Sequence, residues 1–250
     1  MKLIFALLAL WLLTGARDPI LVPEVSQHEV QVRQDFTGAE LLLFGAILRP
    51  DGTRAGSDYD IVVVLKGPTS PILLREKRKI AGIWINADST EFQSAPSYFA
   101  VSSSRPIEQI VDAKTAAIYE LGLPWLQLSP SGAIEPKVVG RFAGGLVEQM
   151  TRKGFYRQDP GGVKISEQVL YQARISLPAN VRTGRYTAET FAVSRGRVVA
   201  SAISEVVVRK LGFEGAVARF ARQYSFFYGL IAVAISVFMG WVAGRVFSLV

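Results

Sequence analysis

The sequence predicts a mainly β protein: an Ig-like β-sandwich with an α-helical insertion, followed by one C-terminal transmembrane helix. Three observations lead there. Apolar residues recur at period two in several stretches bounded by turn residues, the pattern of half-buried strands. One central stretch, about 105–155, has helical spacing instead. Near the C-terminus, 22 consecutive uncharged residues, Gln223 to Gly244, stand between Arg222 and Arg245.

In chain order, residues 1–16 read as a signal peptide. Lys2 supplies the positive start, Leu3 to Leu13 the apolar run, and Thr14-Gly15-Ala16 the small residues before a cleavage site. Eleven helical residues reach only about 16 Å, short of a hydrocarbon core about 30 Å thick. Residues 17–210 then form a β-rich domain expected in the periplasm. His28 to Arg33 alternates, Ala39 to Leu48 looks buried throughout, and Pro50-Asp51-Gly52 closes it as a turn. Tyr59 to Leu65, Ile80 to Ile85 and Tyr98 to Ser102 are further strands.

The helical insert begins with Ser104 as cap, Pro106 in the first turn and Glu108 near the positive end. Ile107, Ile110, Val111, Ile118 and Leu121 form its apolar stripe, stopped by Gly122 and Pro124. A second helix runs from about Lys137 to Lys153, with Val139, Phe142, Leu146 and Met150 on one face. Strands return at Gln168–Leu177, Arg185–Val193 and Val198–Val208. Tyr186 stands where a tyrosine-corner residue would open a late sandwich strand. Two smaller domains split near residue 155 are the alternative organisation.

A juxtamembrane amphipathic helix (211–222) leads into the transmembrane helix, 223–245, and a cytoplasmic tail, 246–250. At 1.5 Å per residue the uncharged run covers about 33 Å, enough to cross a bilayer. Tyr224, Tyr228 and Trp241 sit near its ends as an aromatic belt would. Arg219 and Arg222 precede the span and Arg245 ends it, so the positive-inside rule gives the orientation little help. Ala232, Ser236, Gly240 and Gly244 recur every fourth residue, a small-residue face suited to helix association. Composition fits this plan. The chain is 50% hydrophobic over 250 residues, but the excess sits in the two terminal segments.

Composition also narrows the function. With no cysteine, thiolate metal sites, disulfides and thiol nucleophiles are excluded, and a single histidine, His28, excludes a multi-histidine metal site. No phosphate-binding, nucleophile-elbow or zinc-protease motif occurs. No cofactor is expected, and a non-enzymatic role is. Asp51, Ser57, Asp58 and Asp60 gather oxygens without calcium-loop spacing. Ser102 to Ser104 with lysines supply the residue types of a Ser–Lys dyad without its motif. The net charge is +7, which on an exported chain reads either as a solvated surface with no specific polyanion partner or as attraction to anionic lipid or other envelope polyanions, not nucleic acid. Arg75-Glu76-Lys77-Arg78-Lys79 reads either as an anion site or as a solvated hairpin edge whose charges discourage aggregation.

Basic residues followed by Gly82-Ile83-Trp84-x-Asn86 and Pro96-Ser97-Tyr98-x-Ala100-x-Ser102-Ser103 form a further pattern. Leu177-Pro178-Ala179-Asn180, Gly184-x-Tyr186, Tyr228-Gly229 and Gly240-Trp241 continue it. Together they resemble the Alph_Pro_TM family of alphaproteobacterial transmembrane proteins over nearly the whole chain. The resemblance implies a single-pass inner-membrane protein with a large periplasmic part and no established activity, and it hints at a permease of the sulfite-exporter type as partner. Expected partners are thus the lipid bilayer and another inner-membrane protein such as a permease, or a second copy through the transmembrane helix. The domain would bind or scaffold an envelope component. The alternative is a periplasmic anion- or small-ligand-binding or enzymatic module with Lys77, Arg78, Trp84, Asn86 and Tyr98 lining its site.

Overall fold

The computed structural model describes residues 19–32, 38–49, 51, 53, 59–132, 134–210, 217 and 220–247. The signal-like segment, Ser57 and Asp58, and most of 211–222 and 246–250 lie outside them. The protein is mainly β, with one C-terminal apolar helix, as the periodicity predicts.

Twelve strands are described: β1 (Ile20–Val25), β2 (Glu29–Val32), β3 (Gly38–Leu48), β4 (Asp60–Lys66), β5 (Thr69–Ile80), β6 (Ile83–Pro96), β7 (Phe99–Ser103), β8 (Tyr156–Pro160), β9 (Val163–Ser166), β10 (Leu170–Pro178), β11 (Gly184–Ser194) and β12 (Arg197–Lys210). A four-stranded sheet runs β1-β3-β10-β9 and a six-stranded sheet β2-β12-β11-β4-β7-β8, while β5 and β6 form a two-stranded sheet of their own, with one bridge from Phe92 of β6 to Pro130. Strands from either side of residue 155 share both larger sheets: β3 pairs with β10, and β4 with β11.

Strand β4 shows how the layers sit. Ile61 to Leu65 are all fully buried, the continuous apolar run of a strand covered on both faces. Val62 and Val64 join Phe99, Val101, Tyr156, Phe191 and Val193 in a core that also takes in Ile107, Ile110, Val111 and Leu121 from the helical segment. The other face looks toward the four-stranded sheet. Leu41, Leu43 and Ile47 of β3 and Tyr171, Ala173, Ile175 and Leu177 of β10 are buried at every second position. Tyr98 ties the two sheets, its hydroxyl donating to the Ser176 carbonyl at 2.8 Å. Tyr186 is fully buried and donates to the Arg182 carbonyl at 2.7 Å, the bond that defines a tyrosine corner.

The helical segment is α1 (Ile107–Ile110), α2 (Ala113–Ile118), a 3-10 turn (Leu123–Trp125) and α3 (Pro136–Arg152). It joins β7 to β8, and these two strands are parallel. Parallel neighbours require a crossover connection, so the helices between early and late strands have a topological reason.

Several sequence expectations need correction. The predicted helix across 107–121 breaks at Val111, which bridges to Gly196, and restarts behind Asp112, whose side chain accepts from the Thr115 amide at 2.8 Å. Ser104 does not cap it; its hydroxyl donates to Asp60 Oδ1 at 2.8 Å. Ile118, placed in the apolar stripe, is 60% exposed. Ala39–Leu48 is buried only at alternate residues, leaving Phe44 exposed. Ile80–Ile85 is no single strand: Ala81 and Gly82 take φ of 47° and 85° and turn the chain between β5 and β6. Two successive positive φ values make the hairpin turn whose twist matches its strands.

The C-terminal helix, α4 (Ser225–Phe247), belongs to a different compact unit from the β-rich body. Its Ser225–Arg245 stretch is long and apolar enough to cross a membrane. Phe226, Leu230, Val237, Met239 and Trp241 are all exposed, as suits a helix whose solvent is lipid.

Candidate functional site

The β5–β6 hairpin carries four of the five predicted ligand residues. Near its base, Ile72 and Leu74 pack with Phe92 and Ala95 against Phe142 and Leu146 of α3. An ion network marks the neck: Arg78 Nη2 lies 2.8 Å from Asp88 Oδ2, and Arg141 Nη2 lies 3.2 Å from both Asp88 and Glu76. Beyond it, Lys77 faces Asn86, Arg78 faces Ile85, Lys79 faces Trp84 and Ile80 faces Ile83.

Residues opposite one another share a face, and faces alternate along a ribbon. One face therefore carries Lys77, Asn86, Lys79 and Trp84, and the other Arg78 and three isoleucines. All are exposed, Trp84 by 65%. Tyr98 does not join them. It is fully buried in the body, its ring 6.1 Å from that of Tyr186, and its phenol pKa is pushed up by burial. Strand β6 alone is 14 residues, about 45 Å of chain, and its length separates Trp84 from Tyr98. The five residues do not line one pocket.

Sequence reasoning missed a second group. Lys66 Nζ lies 2.7 Å from Glu120 Oε2 and 3.3 Å from Glu189 Oε2. They line a cleft of about 480 Å³ with Tyr119, Phe191 and Ile203. Burial opposes the Lys66 charge, but the two carboxylates outweigh it and raise its pKa. The carboxylates thus favour the charged ammonium at this site. Its partners are 54 and 123 positions away, and no local signal connects them.

The outer face of the four-stranded sheet was also missed. Ile20, Val22, Phe44 and Leu170 are 46%, 54%, 37% and 54% exposed. Register puts them together: Val22 pairs with Ala46, which pairs with Leu170, and Phe44 faces Gln172. A signal existed in Leu41-Leu42-Leu43-Phe44, where apolar residues occupy both parities. A strand with one face in water should alternate with polar residues.

Other sequence candidates have protein partners. Arg105 grips Asp60 through Nε, at 2.9 Å, and Nη2. Burial raises the Asp60 pKa, but the Arg105 and Ser104 bonds outweigh it and hold the carboxyl below its ordinary range. Asp51 accepts from the Thr53 amide at 2.9 Å. Ser102 and Ser103 are buried in β7, and Ser103 donates to the Arg105 carbonyl at 2.6 Å. His28 Nε2 lies 3.2 Å from Glu24 Oε1 on the surface. On the membrane helix, Ser236 donates to the Ala232 carbonyl at 2.9 Å, a backbone bond within one helix. Added Cβ atoms at Gly240 and Gly244 would meet nothing within 4 Å.

No curated protein matches the chain. A family model does, described as "Putative transmembrane protein (Alph_Pro_TM)", over residues 20–248. That span takes in the β-rich body, the hairpin and the apolar helix, and the chain belongs to the Alph_Pro_TM transmembrane protein family.

Proposed function

We propose that this protein is a non-enzymatic, single-pass inner-membrane protein whose β-rich domain lies in the periplasm and binds or scaffolds another envelope component. One observation carries the binding role: the exposed apolar face formed by Ile20, Val22, Phe44 and Leu170. Contiguous apolar surface of this kind marks interaction sites in folded proteins. The partner is a membrane-embedded protein such as a permease. Ala232, Ser236, Gly240 and Gly244 supply a second contact within the bilayer, where small residues let helices approach closely.

The signal-like start supports export, and the family match begins at residue 20, just beyond it.

The test is a photo-crosslinking residue at Phe44 or Leu170 of the full chain, activated in intact cells. The reading expects one discrete adduct with a membrane protein, lost when Val22→Glu is added and weakened when Gly240 and Gly244 become Leu. The absence of any adduct, or a diffuse smear unchanged by Val22→Glu, would overturn it.

A further inference from the structure

The outer end of the β5–β6 hairpin combines features that neither a core nor a plain solvent edge requires. Ile80, Ile83, Trp84 and Ile85 are 51%, 68%, 65% and 43% exposed within six residues. Lys77 and Lys79 flank them and make no ion pair among the described residues, while the acids at the neck, Glu76 and Asp88, are engaged by Arg78 and Arg141. The tip is thus apolar and cationic at once. Lysines alone would suffice to discourage edge pairing; they do not account for three isoleucines and a tryptophan.

We propose that this tip is a second membrane contact, inserting into the headgroup region of an anionic bilayer. Ile80, Ile83, Trp84 and Ile85 enter the acyl boundary, and Lys77 and Lys79 hold lipid phosphates. Tryptophan is enriched at that boundary, and lysine stems bury along apolar surface while their charges reach outward. Lysine is instead depleted from protein–protein interfaces, where aromatic residues gather without it.

The dimensions agree. From the Lys77–Asn86 pair to the turn the ribbon extends about 13 Å, and the headgroup layer on each side of a bilayer is about 5–8 Å thick. Depth is limited for a physical reason. Toward the tip, β5 and β6 pair only with each other among the described residues, so their outer edges there carry backbone groups that hydrocarbon would leave unsatisfied. Insertion stops at the boundary. This inference rests on the membrane anchorage of the chain, not on its scaffolding role.

The chain has no cysteine, so Ile83→Cys accepts a spin label at one site. The labelled full chain is reconstituted into phosphatidylcholine vesicles with and without about 30% phosphatidylglycerol, which supplies the anionic surface, with Ser89→Cys as reference. The inference expects the residue 83 label to be accessible to oxygen and shielded from a polar relaxant only in the anionic vesicles, while residue 89 stays aqueous. Lys77→Gln with Lys79→Gln should reduce insertion by about 25-fold, five-fold for each lysine. An aqueous residue 83 label in anionic vesicles that still retain the chain would overturn the inference and leave anchorage intact. Spin–spin broadening from a second copy covering the tip would overturn it too. Neither outcome bears on the Phe44 and Leu170 crosslinks.

Discussion

Tyr186 and Asp60 each fasten a strand to the loop beside it. The Tyr186 hydroxyl is buried at the start of β11 and satisfies the Arg182 carbonyl, and burial pushes its pKa up to about 12. Tyr186→Phe leaves that carbonyl without its donor, and the expected loss is about 1–2 kcal/mol, read by chemical denaturation of the full chain in detergent. Asp60 holds the start of β4 to the chain leaving β7 through Ser104 and Arg105. Its carboxyl lies below the ordinary 3.8. Its stabilisation is therefore complete above the unfolded-state value and disappears as pH falls through the lower folded value. Asp60→Asn should cost about 1 kcal/mol near pH 7, a modest figure because Arg105 faces water. Unfolding curves of wild type and variant should converge once both carry an uncharged side chain at this position.

Elements explain which parts of the fold the sequence disclosed. The helix predicted from Lys137 to Lys153 runs from Pro136 to Arg152, because its apolar face repeats cleanly at 3.6 residues. Strand β10 alternates between core and solvent and was equally legible. The break at Val111 was not, since Val111 is buried by a bridge to a residue 85 positions away. The hairpin turn hid inside an apolar run, because Ile80 and Ile83 flank Ala81-Gly82 with no polar turn residue. Four of the five proposed ligand residues share one ribbon end, while Tyr98 is a core tyrosine. Sequence proximity placed them together, but the ribbon's length separates them. Helix α3 supports the base of that ribbon. Phe142→Ala should remove about 3–4 kcal/mol of packing. Limited proteolysis should then cut within β5 or β6 before it cuts the body, whereas simultaneous cleavage throughout would show that the hairpin and body unfold as one unit.

At the scale of the whole molecule, a β-rich body and an apolar helix share one chain of a transmembrane family. The helix has no polar face to present to water, and lipid is the solvent that removes the cost of exposing it. Everything proposed about partners depends on which side of the membrane the body occupies. A membrane-impermeant maleimide applied to intact spheroplasts tests this directly, with single cysteines at Ser166 in β9 and at Ser248 beyond the helix. The account predicts labelling at residue 166 in intact spheroplasts and at residue 248 only after lysis. Labelling at residue 248 with protection of residue 166 would contradict it.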